Sequence, residues 1–268
     1  MKSAQILRQK IASGQPVLGM LVIQHVWLEL IEVMIKAKLD FAIIDNEHRN
    51  AGDTMVSDAL AMGRMLDFPI LLRPPEPEYN AVRVAMDRGP CGLLLPTVSN
   101  TRMLDEVRDG IYMPPRGRRR PGGPGNRWVS DYNYATWKRE VEDNLIIIPQ
   151  IENREGLDNV DAIVRHEIVT AAGVGPYDLS ASLGVCWKPD SPVLINALDR
   201  IRTSAAAVGK SMLMVGDPDQ WIPRGLNFIC IGEPVAMMEG AMTQRVAQVR
   251  STYGSKPSGS AGPTGNQY

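Results

Sequence analysis

Cysteine is scarce. The three present, Cys91, Cys186 and Cys230, show no C-x-x-C spacing, which excludes a disulfide framework and a zinc ribbon and fits a reducing cytoplasm. An excess of charge is also missing. Lys and Arg total 29 against 30 Asp and Glu, for a net charge of −1, so no global attraction draws the chain to nucleic acid or to an anionic membrane. Aromatics make up only 6% of the residues, and they are not interleaved with basic residues as in nucleic-acid-binding surfaces. No apolar run approaches the ~18 residues of a membrane span. The amino terminus, MKSAQILRQKIASGQPV, is broken by charges before an apolar core develops, so neither a signal peptide nor a membrane segment is expected.

What is present is a hydrophobic content of 44% in 268 residues, enough for a substantial core and near the ~250 residues of one (β/α)8 barrel. Short apolar runs alternate with helical patterns along the whole chain. Strands are predicted near residues 17–23, 40–44, 69–73, 91–95, 145–151, 169–174, 210–215 and 227–231. Between them, segments such as WLELIEVMIKAK and EYNAVRVAMDR repeat apolar residues at spacings of three and four, which gives each helix one face to lay on a parallel sheet. Eight such units predict an α/β TIM barrel over residues 1–253, with a disordered tail, GSKPSGSAGPTGNQY, over residues 254–268. Residues 112–130, YMPPRGRRRPGGPGNRWVS, are too rich in Pro, Gly and Arg for a helix or strand. A long loop of this kind is expected to be an active-site element.

In a barrel the chemistry sits at the carboxyl ends of the strands. The second strand ends in Asp45, Glu47 and His48, the third in Arg73, the fifth in Gln150 and Glu152, and the sixth runs into Tyr177 and Asp178. Glu152 and Asp178 can each give an oxygen to a hard divalent cation. Alternatively, Glu152 is a surface acid and Asp178 the N-cap of a helix over LSASLG. Asp45, three residues before His48, is placed to orient the imidazole as a base, though a lone histidine also serves as a structural hydrogen-bonder. Arg73 suits a carboxylate or an oxyanion, or else pairs with a neighbouring acid.

DFAIIDNEH, LLRP, LLLPTVSN, YMPPRGRR, IIIPQIENREGLDNVDAI and GVGPYDLSASLG together resemble the HpcH/HpaI family of class II pyruvate-dependent aldolases, over about residues 5–250. The resemblance implies cleavage or formation of 4-hydroxy-2-oxo acids from pyruvate and an aldehyde through a metal-stabilised enolate. The alternatives are a synthase or oxaloacetate decarboxylase on the same site, and a non-catalytic binding barrel. It implies Mg²⁺, Mn²⁺ or Co²⁺ on Glu152 and Asp178, Arg73 on the enolate oxygen, and His48 with Asp45 at the proton. Gln150 and the amides of Tyr177 and Asp178 would hold pyruvate. It further implies a cytoplasmic homo-hexamer, a trimer of dimers exchanging the last helix over residues 233–250. The lysines agree with a metal rather than a Schiff base, because only Lys188 is placed to reach the active face. Departures from the family pattern, Arg49, Thr97 and the arginine loop over residues 116–125, fall on the acceptor side. The loop reads either as a solvated lid or, through residues such as Arg119, as a clamp for an acidic acceptor.

Overall fold

A computed structural model describes residues 1–48, 52–120, 122–123, 127–131 and 133–254. The expectations for Arg49, for part of the arginine loop and for the tail from residue 255 lie outside the described residues. After helix α1 (Lys2–Ala12) the chain runs β1 (Val17–Val22), α2 (Leu28–Lys36), β2 (Phe41–Asp45), α3 (Asp53–Met65), β3 (Ile70–Arg73), α4 (Tyr79–Asp87), β4 (Gly92–Leu95) and α5 (Thr101–Ile111). It continues through α6 (Tyr134–Glu140), β5 (Ile146–Ile151), α7 (Arg154–Asp158), α8 (Val160–Arg165), β6 (Ala172–Val174), α9 (Pro176–Ser182), α10 (Pro192–Ala206), β7 (Met212–Val215), α11 (Pro218–Trp221), β8 (Phe228–Cys230) and α12 (Pro234–Tyr253).

The eight strands pair in order and close into a parallel barrel, with Val17 meeting Phe228 and Gly19 meeting Cys230 across the seam. All eight predicted strands are found. The sixth begins at Ala172 rather than Val169, because the Val169 N–H closes a turn on the carbonyl of His166 at 3.1 Å.

Nearly every strand residue is buried, the consequence of covering both faces of a parallel sheet. Helix faces follow the predicted spacing. In α10, Leu194, Ala197, Leu198, Ile201 and Ala205 are buried; in α5, Leu104, Val107 and Ile111 are, and the Asn100 side chain caps the helix by accepting from Met103 N. Large and small residues interlock inside the barrel. A Cβ on Gly19 would stand 2.4 Å from the Phe41 ring, and that ring packs against Phe228 at 5.0 Å between centroids. The compact unit Met1–Glu233 contains the barrel, and Pro234–Tyr268, of which α12 is described, forms a second unit. Among the described residues no helix is long and apolar enough to cross a membrane.

Candidate active site

Strand register builds the centre. It sets Asp45 directly beside Arg73, and register partners on parallel neighbours point to the same face. Both side chains are buried. Arg73 donates from Nε to Asp45 Oδ1 at 2.8 Å and from Nη2 to Asp45 Oδ2 at 2.7 Å, a two-pronged grip that fixes the guanidinium plane. Its remaining nitrogen, Nη1, lies 3.0 Å from Glu47 Oε2 and donates to Gln150 Oε1 at 3.3 Å. Gln150 Nε2 in turn donates to Glu152 Oε2 at 3.3 Å, and Glu152 Oε1 accepts from the Thr97 N–H.

Between β5 and β6, Gln150 pairs with Gly173 and Ile151 with Val174. Continuing that register brings Glu152 against Gly175. A Cβ built on Gly175 would stand 2.2 Å from Glu152 Oε2 and 3.3 Å from Asp178 Oδ2, so the two carboxylates flank one small space that only glycine leaves open. Burial, helped by the charges of Glu47 and Asp178, pushes the Glu152 carboxyl up to about 7 against the Thr97 N–H and Arg73. Burial likewise raises Glu47, although Arg73 and His48 pull it down. For Arg73 burial works against the charge, and the hydrogen bonds and charge of Asp45 outweigh it, so its pKa is raised. Three crowded acids with one shared arginine make a centre that a divalent cation would relieve, and a two-carboxylate site leaves positions for substrate and water. Among the described residues no group of three or more His, Cys, Asp or Glu is arranged to hold a metal, so a cation here would depend on those further ligands.

Three expectations change on contact with the structure. Asp45 is not the acid that orients His48: its oxygens are engaged by Arg73 and by the Glu47 N–H at 2.9 Å. The acid nearest the imidazole is Glu47, with Oε2 3.8 Å from His48 Nε2, and the His48 side chain is 55% exposed at the rim. Asp178 is no N-cap, since that position belongs to Gly175 and Asp178 lies in the first turn of α9, as Tyr177 does.

The described part of the arginine loop, residues 116–120 and 122–123, is at the wrong end for a lid over the same subunit's site. It follows helix α5 and precedes β5, and a helix-to-strand connection lies at the amino end of the barrel. Three of its arginines are engaged there. Arg119, fully buried, bonds Asp87 at the end of α4 at 2.8 Å and stacks over Trp137; Arg118 pairs with Asp109 and Arg116 with Glu142 and Asp143. The expectation that Arg119 binds substrate at the mouth is therefore corrected to a buried pairing role.

Two residues at the centre had no role assigned from sequence. Glu47 joins Arg73 to His48, and its place within DNEH was visible but carried no spacing signal of its own. Thr97 presents its backbone N–H to Glu152 from a left-handed conformation, φ 49°. Its only sequence trace was its departure from the family's pattern.

A buried arginine held in plane, a desolvated carboxylate and a second acid across a glycine gap, all at the carboxyl end of a parallel barrel, can stabilise negative charge developing on an oxygen. Such an arrangement suits the site of a barrel enzyme. The HpcH/HpaI aldolase/citrate lyase family model matches residues 23–232, and the chain belongs to that family. It is a lyase of the aldolase type. The chain is 26% identical to the 2-keto-3-deoxy-L-rhamnonate aldolase of Shigella boydii over 257 residues, covering 91% of this chain and 92% of the relative. Among solved structures it resembles an HpcH/HpaI aldolase from Desulfitobacterium hafniense, with a TM-score of 0.85, 23% identity and coverage of 94% and 99% of the two chains. It also shares its fold with a citrate synthase, with a TM-score of 0.79, 20% identity and coverage of 93% and 99%.

Proposed function

We propose that the enzyme cleaves and forms 4-hydroxy-2-oxo acids, with pyruvate as the fixed half and an aldehyde as the variable one. The observation that carries this reading is the Arg73 guanidinium, buried and held in plane by Asp45 within one hydrogen-bonded chain that ends at Glu152. The name of the curated relative, an aldolase of a 2-keto-3-deoxy acid, is in line with a 2-oxo acid substrate.

Gln150 and the first-turn amides of Tyr177 and Asp178 bind the carboxylate end of pyruvate. Glu152 and Asp178 hold Mg²⁺, Mn²⁺ or Co²⁺; their all-oxygen donors suit such an ion, which when bound supplies Lewis-acid polarisation of the 2-oxo group. Arg73 donates to the C2 oxygen as it gains charge. In the cleavage direction His48 takes the proton of the C4 hydroxyl, the C3–C4 bond breaks, and its electron pair moves toward C2 to leave the enolate of pyruvate and the aldehyde. Glu47, beside both His48 and Arg73, keeps the base and the oxyanion donor in one electrostatic unit. We place the enzyme in the cytoplasm as a homo-hexamer, a trimer of dimers exchanging residues 233–250. This rests on the family resemblance, and on α12 being a single helix that has no core of its own. Light scattering on the full chain tests it, and a monomer would overturn it.

The test of the activity is incubation with Mg²⁺ or Mn²⁺, pyruvate and a panel of aldehydes, read by mass spectrometry, with oxaloacetate alone in parallel. A 4-hydroxy-2-oxo acid product is expected. Decarboxylation of oxaloacetate with no aldol product from any aldehyde would overturn the aldolase reading in favour of a decarboxylase. A borohydride-stable pyruvate adduct on Lys188 would overturn the metal-dependent mechanism.

A further inference from the structure

The two oxygens of Glu152 are held differently. Oε1 accepts from the Thr97 N–H, whereas Oε2 takes the longer bond from Gln150 Nε2 at 3.3 Å and faces the gap at Gly175 beside Asp178. A carboxylate with one oxygen tied to the backbone has one left to offer. The direction of the Thr97 N–H follows from its left-handed backbone, φ 49°, a conformation that a β-branched residue keeps only where its surroundings impose it.

Those surroundings are a latch between the turn after β4 and the turn after β5. The Ser99 hydroxyl donates to the Thr97 carbonyl at 3.3 Å and accepts from Asn153 Nδ2 at 2.9 Å. Asn159 Nδ2 donates to the Ser99 carbonyl at 3.0 Å, and the Val98 N–H donates to the Gln150 carbonyl at 3.2 Å. Asn153, the residue after Glu152, also caps α7 by accepting from the Gly156 N–H at 2.8 Å. Gly156 lets the two turns come this close, since a Cβ there would stand 2.7 Å from the Val98 carbonyl oxygen. Thr97 itself is exposed, so packing of its side chain does not account for the strain. The latch sustains a strained backbone, and what that backbone delivers is one N–H on Glu152.

We propose that Thr97 is a positioning residue for the cation site: by holding Glu152 Oε1 it leaves Oε2 alone to meet a cation, and so favours Mg²⁺ over Ca²⁺. Mg²⁺ demands a compact, near-octahedral shell with one or two carboxylates, whereas Ca²⁺ takes more oxygens in a flexible shell, often both from one carboxylate. The inference rests on the reading of Glu152 and Asp178 as ligands and adds what selects the ion. The measurement is calorimetric titration of the metal-stripped full chain with Mg²⁺ and, separately, Ca²⁺, with pyruvate present. Thr97→Pro removes both the N–H and the left-handed backbone. It should weaken Mg²⁺ about ten- to hundredfold, the usual worth of a group that orients a ligand, and weaken Ca²⁺ less, because the freed Oε1 can join it. Thr97→Gly keeps the N–H, adopts the left-handed backbone freely, and should keep the parent's Mg²⁺ to Ca²⁺ ratio. Ser99→Ala opens the latch while sparing every backbone group and should lower that ratio about two- to tenfold. The ratio separates positioning from stability, since a loosened fold weakens both cations alike. If Thr97→Pro fails to fold by circular dichroism, Ser99→Ala decides. An unchanged ratio in the folded variants, or equal weakening of both cations, overturns the positioning role while leaving the metal reading in place. A parent that binds neither cation overturns the metal reading and this inference with it.

Discussion

The two ends of this barrel use the same ingredients to opposite effect. At the amino end, Arg119 is buried against Asp87 and Trp137, while Arg116 meets the buried Glu142, whose carboxylate also accepts the Met113 N–H at 2.9 Å. Each of these cations has an acid and an aromatic ring beside it. At the carboxyl end, one buried arginine serves Asp45, Glu47 and Gln150, while Glu152 and Asp178 face the gap at Gly175 with too little positive charge nearby. Burial alone therefore does not mark function. What separates the two ends is whether charges are matched, and an unmatched set is held in place only by the scaffold around it.

The contrast breaks most completely if the carboxyl end keeps working without a cation. Excess EDTA should abolish aldol turnover, and Mg²⁺, Mn²⁺ or Co²⁺ should restore it; full activity in EDTA would show that the acids at Gly175 need no ion. His48→Ala should lower kcat by about 10²–10⁴, the worth of a positioned base, and calorimetry should find metal affinity unchanged, because no ligand is lost. A fall in metal affinity would place His48 among the ligands.

At the amino end the response should be in stability and not in chemistry. Arg119→Ala leaves Asp87 with only Arg83, at 3.1 Å, and empties the buried space beside Trp137, and should cost about 1–3 kcal/mol in urea unfolding, somewhat offset because two of the Arg119 nitrogens have no acceptor. If the same substitution left stability intact, the matched character of that end would be wrong.

The smallest effect sharpens the comparison through pH. Glu152 rises from an ordinary 4.5 to about 7 in the folded chain. Ionising it disfavours the fold, so this cost is absent below 4.5, accrues as pH rises through 7 and is complete above it. Glu152→Gln should accordingly stabilise the metal-free protein by about 2–3 kcal/mol at pH 8 and by almost nothing at pH 4.5. Melting curves at the two pH values check this, and an equal shift at both would mean that Glu152 titrates normally.

The sequence by itself determined the barrel. Hydrophobic periodicity is local, and eight apolar runs separated by amphipathic helices leave few ways to bury both faces of a parallel sheet. It also exposed most of the centre, because Asp45, Arg73, Gln150 and Glu152 directly end or follow apolar runs and so belong to the carboxyl rim. The end of the barrel at which the arginine loop lies was legible as well, in the order helix, loop, strand, although its Pro, Gly and Arg content pointed toward a lid. Only the tertiary structure decided who meets whom: that Asp45 grips Arg73 and leaves His48 to Glu47, and that Gly175 makes room between Glu152 and Asp178. Those pairings depend on strand register around a closed barrel. A shift of one residue turns a side chain to the other face, and no local pattern records which residue of the next strand stands alongside.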